Sequence, residues 1–107
     1  MKENKYVILS EDDVVTEPER LKDWDDRIYR VSIYSVPKDV AKDFTNKKID
    51  MSTLMDEAYN SFEEGFYETS FDKAGQIAVE FCKTKGYIIL MKIFLDVETG
   101  NIIKRTY

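Results

Sequence analysis

Six carboxylates fall in two short runs near the N-terminus, Glu11-Asp12-Asp13 and Asp23-Trp24-Asp25-Asp26. Carboxylates this dense could gather around a hard cation, which needs several convergent oxygens; an EF-hand loop also needs glycine at its turn and a Glu closing it. Neither run has that spacing, so no metal site and no cofactor is expected. The chain has no histidine and one cysteine, Cys82, so neither a Cys/His metal set nor a Ser–His or Cys–His nucleophile pair can be assembled. The four glycines, Gly65, Gly75, Gly86 and Gly100, are scattered singly and form no phosphate-cradling loop. The residue types for general acid–base or nucleophilic work are largely missing, and the chain is not expected to be an enzyme.

What remains is chemistry of association. Trp24 is the only tryptophan and is flanked by acids on both sides. Packed inward, its ring joins the core and its N–H finds a carbonyl. Facing outward, it is an aromatic anchor ringed by carboxylates, suited to an Arg- or Lys-rich surface. Charge placement agrees with the second reading. The net charge is −5, and residues 1–26 hold nine acids against four bases, while residues 27–107 balance twelve against twelve. Such an acidic end repels phosphate backbones and attracts basic proteins, which argues against direct nucleic-acid binding. The expected partner-binding residues are therefore Glu11, Asp12, Asp13, Asp23, Trp24, Asp25 and Asp26.

The elements that must position these residues follow from periodicity. Tyr6-Val7-Ile8-Leu9 reads as a short strand. Thr16 with Glu19 three residues on is a capping box, and Pro18 suits a first turn, so a short helix is expected near 17–24. Residues 27–36 alternate, with Tyr29, Val31 and Ile33 on one face, as a half-buried strand does. Pro37 ends it, and 38–44 make one or two helical turns. Leu54, Met55, Ala58, Tyr59 and Phe62 form a helical stripe capped by Asp50 or Ser52 and stopped at Gly65. A second helix starts at the N-cap Ser70, buries Phe71, Ala74, Ile77, Ala78 and Phe81, and ends at Gly86. Residues 87–95 are apolar on nearly both faces and suit a central strand. Turn residues at 96–101 return the chain as a last strand, closing a C-terminal hairpin.

The predicted architecture is a single α+β domain over residues 1–107, with an antiparallel sheet of about four strands and two main helices packed on one face. If helices cover only one face, the apolar side of strand 87–95 needs a cover. Ile88, Leu90 and Phe94 would then form a homodimer or assembly interface. The aromatic run Tyr59, Phe62, Phe66, Tyr67 and Phe71 is expected to be mainly core, and Cys82 a buried thiol. A pocket lined by Tyr59, Phe62 and Phe81 would instead suit a small ligand.

No apolar run is long enough to span a bilayer, the N-terminal apolar stretch is too short for a signal peptide, and a lone thiol suits a reducing compartment. The expected address is the cytoplasm. The expected function is a small acidic protein-binding domain that inhibits or neutralises a basic protein, as immunity proteins and phage-encoded inhibitors do. The alternative is a structural or assembly subunit that oligomerises through the apolar sheet face.

Overall fold

Five strands share one sheet in the computed structural model, which describes residues 5–13, 29–96, 99 and 101–107. In chain order the elements are β1 (Tyr6–Asp13), β2 (Tyr29–Val36), α1 (Lys38–Thr45), α2 (Met51–Ala58), β3 (Phe62–Glu68), α3 (Phe71–Lys85), β4 (Ile88–Asp96) and β5 (Asn101–Lys104). The strand order is β3-β2-β1-β4-β5. β2 runs antiparallel to both β1 and β3, and β5 runs antiparallel to β4, but β1 and β4 are parallel.

The fold is α+β as expected, with three corrections. The sheet is mixed rather than antiparallel, it has five strands, and three helices cover both of its faces. The first two corrections share a cause. Residues 62–68 form a strand, not the end of the preceding helix, which closes at Ala58. β3 is antiparallel to β2 and therefore points the same way as β1 and β4. α3 is thus the crossover of a β3-α3-β4 unit, and taking β3 as helix hides the β-α-β rhythm that signals parallel strands.

The third correction follows from strands that are apolar on both sides. Ile8, Tyr34, Val36, Met91 and Ile93 face α1 and α2, packing on Ala41, Leu54, Met55 and Ala58. Val7, Leu9, Val31 and Ile33 face α3 and pack on Ala74, Ala78 and Cys82. Burying Ile or Leu side chains to this degree contributes about 1.5–3 kcal/mol each, the main source of the sheet's stability.

Local signals set the helix ends. The Asp50 side chain accepts a hydrogen bond from the Thr53 N–H at 2.9 Å, and that bond holds its carboxyl below its ordinary pKa. Ser70 caps α3 through the Lys73 N–H at 3.2 Å. Gly86 closes α3 in the left-handed region at φ 76°. The helix expected near 17–24 lies outside the described residues. No described helix is long and apolar enough to cross a membrane.

Candidate functional site

Glu11 stands near the end of β1 on the α3 side of the sheet and is only 3% exposed. Burying a carboxylate requires partners, and two come from the far end of the chain. Tyr107 donates its phenolic O–H to Oε1 at 2.8 Å, and Arg105 donates from Nε to Oε2 at 3.1 Å. The Arg105 guanidinium also lies 5.2 Å from the centroid of the Phe94 ring, and Lys92 Nζ lies 5.3 Å from that of Tyr107. Burial and the hydrogen bond to Glu11 push the Tyr107 phenol far above its ordinary range. With both oxygens of Glu11 engaged, the cluster fastens the segment after β5 to the central strand, and this carboxylate is not offered to a partner.

The other expected partner-binding residues are placed as follows. Asp12 and Asp13 continue β1, in register with Arg30 and Tyr29 of β2. Asp23, Trp24, Asp25 and Asp26 lie outside the described residues. The expected oligomerisation residues do not share a face. Register shifts between Val7–Ile89 and Ile8–Met91, which makes Leu90 a bulge residue. As a result Leu90 packs with the α1 and α2 core, whereas Phe94 turns to α3, its ring 6.1 Å from that of Phe71. Ile88 is partly exposed at the start of β4. Tyr59, Phe62 and Phe81 do not line one pocket either, because Phe81 packs on the α3 side against Phe66 while Tyr59 and Phe62 contact Tyr34 on the α2 side. Cys82 is fully buried, and burial pushes its thiol up to about 11, so it is unreactive in the folded chain. Among the described residues no group of three or more His, Cys, Asp or Glu could hold a metal ion.

A different surface gathers exposed aromatic and acidic side chains. Tyr59 caps the end of α2, the chain turns through Asn60 and Ser61, and β3 forms one edge of the sheet among the described residues. Tyr59 is 39% exposed, Phe62 56% and Tyr67 50%. Tyr34 beneath them supports the patch, with ring centroids 4.9 Å from Tyr59 and 5.8 Å from Phe62, both edge-on. A second bulge, at Glu63, sets Phe62 opposite Tyr34, Gly65 opposite Ser32 and Tyr67 opposite Arg30, all on the α2 side. Gly65 leaves the space that the Phe62 ring and the Arg30 stem occupy; a Cβ there would sit 3.4 and 3.3 Å from them.

Glu64, Phe66 and Glu68 lie on the α3 side of the same strand, opposite Ile33, Val31 and Tyr29. Glu63 is tied to Lys5 at 2.8 Å. Between Lys48 and Lys73 the chain carries seven acids and no base, while Lys5 and Arg30 reach this edge from β1 and β2. That gap in the bases is the signal through which the sequence exposes this surface, since the aromatic run alone looks like core. Lys47, Lys48, Lys92 and Lys104 border open grooves beside Phe44 and Leu90, toward the opposite edge. Comparison of the chain with protein-family models, with curated proteins and with solved structures finds no match.

Proposed function

We propose that this domain is a small acidic protein-binding module that inhibits or neutralises a basic protein, in the manner of immunity proteins and phage-encoded inhibitors. The observation that carries this reading is the β3 edge, where Tyr59, Phe62 and Tyr67 stand exposed within a stretch of seven acids and no base. Exposed aromatics supply contact area at low entropic cost, and the surrounding carboxylates steer a cationic partner and reject an anionic one. The acids of residues 11–26 extend the same negative field in sequence. Assembly through an apolar face of β4 has less support, since the bulge at Leu90 divides Leu90 and Phe94 between two covered faces.

The test is capture of a basic protein from the native host, or from the host's competitor, followed by affinity measurements at low and high salt. Tight binding at low salt should weaken steeply as the Debye length shrinks to about 3 Å near 1 M. Replacing Phe62 and Tyr67 together by Ala should lower the affinity about tenfold or more. Unchanged affinity in that variant, with loss on replacing Asp23, Asp25 and Asp26 instead, would move the site to the N-terminal acids. A chain that retains no basic protein at low salt refutes the class of function itself.

A further inference from the structure

We infer that the outer edge of β3 receives an extended basic segment of the partner as a sixth strand of the sheet. This rests on the proposal that the partner is a basic protein and adds how it is held. Among the described residues β3 is hydrogen-bonded to β2 alone, so alternate residues direct their N–H and C=O groups away from that pairing. Beyond the bulge at Glu63 that row runs regularly from Glu64 to Glu68, whereas the other edge strand, β5, has four residues in all. Edge strands of this kind commonly take an added strand, with the main chain supplying affinity and alternate side chains supplying selectivity.

Charge identifies the occupant. Two copies meeting β3 to β3 would bring together Glu64 and Glu68 from each, Glu63 being held by Lys5, and like charges across a strand pair are destabilising. A cationic strand is complementary instead. The two faces of β3 then specify its pattern. On the α2 side an incoming residue meets Phe62 and Tyr67, with the Arg30 stem lying over Gly65 between them, which favours apolar or aromatic side chains and disfavours a cation on this face. On the α3 side it meets Glu64 and Glu68 flanking Phe66, which favours Lys or Arg. The segment recognised is therefore extended, with apolar and basic residues in alternation.

The probe is a synthetic peptide of about ten residues alternating Lys and Val, long enough to span β3, beside a copy N-methylated at every second residue. The methylated copy keeps its charge and loses the donors on one edge. Hydrogen exchange of the full chain is followed at low salt with each peptide in excess. The expected result is slowing of exchange by about tenfold or more within residues 62–68 on binding the first peptide. Affinity should fall about tenfold or more for a peptide methylated on the pairing edge, so both methylation registers are made. Equal affinity of both methylated peptides and the parent, or binding that leaves exchange in 62–68 unchanged, overturns strand addition. If that binding is still salt-sensitive and is weakened by replacing Phe62 and Tyr67 with Ala, the basic-partner reading stands without it. Failure of the parent peptide to bind overturns strand addition, while the captured-protein experiment decides the broader reading separately. Protection of 62–68 that grows with protein concentration before any peptide is added means that a second copy takes the edge, which also overturns the proposal.

Discussion

Tyr107 reaches back across 96 positions of sequence to donate a hydrogen bond of 2.8 Å to the buried carboxylate of Glu11. The contact joins the segment after β5 to β1 at the centre of the sheet, and Arg105 occupies the second oxygen. An acidic residue near the acidic end of the chain thus spends its charge internally, whereas Glu64 of β3 stands exposed.

Removing the phenolic hydroxyl isolates one part of this arrangement. Tyr107→Phe keeps the ring against α3 but leaves Oε1 of Glu11 short of a donor in a buried site. A loss of about 1–3 kcal/mol is expected, read from the urea midpoint at constant slope. A midpoint equal to wild type would mean that water replaces the hydroxyl without cost.

Gly75 provides the seat for that ring. A methyl group at this position of α3 would overlap the Tyr107 ring. Ala is the better helix former by about 1 kcal/mol, yet Gly75→Ala should destabilise, because the ring must leave Glu11. In a Tyr107→Ala background the same change should become neutral or stabilising. Additive effects of the two substitutions would show that they do not interact.

Alkaline pH should weaken the fold through Cys82. Burial raises its thiol from an ordinary 9.0 to about 11. Between those values the unfolded chain releases a proton that the folded chain retains, so rising pH favours unfolding. The slope approaches about 1.4 kcal/mol per pH unit within the window. In Cys82→Ala the decline should begin later, as the Tyr107 phenol of the unfolded chain ionises near 10.0. Identical melting curves against pH for the two proteins would count against this account.

Lys47 offers a gain in stability. It has φ 60° just past α1, where the Lys48 N–H bonds back to the Asp43 carbonyl at 2.8 Å, closing a Schellman turn. Glycine adopts this conformation without a Cβ penalty, so Lys47→Gly should stabilise by about 1 kcal/mol, or roughly 4 °C in Tm. An unchanged or lower Tm would show that the lysine contributes something its backbone strain conceals.

Much of the secondary structure is legible in the residues. The Ser70 cap, the apolar stripe through Ala74 and Ala78, and the Gly86 stop define α3 before any tertiary contact is known, and the two-sided apolarity of residues 87–95 places β4 inside the sheet. These signals act within a turn or a few residues, where capping bonds and side-chain period operate. β3 escapes them because Glu63 is an extra residue that breaks its alternation, and the stripe through Phe62 continues the helical period of α2 past its end. Likewise the bulge at Leu90 turns Phe94 to the face opposite the one that counting by twos assigns.

The α+β composition, the placement of charge and the ends of α3 were thus determined by the sequence alone, through interactions between near neighbours. The parallel pairing of β1 with β4, the covering of both sheet faces, the exposure of Phe62 and Tyr67 and the burial of Glu11 were decided only in three dimensions. Each depends on which strand lies beside which and in what register, and those choices are made by contacts between residues tens of positions apart.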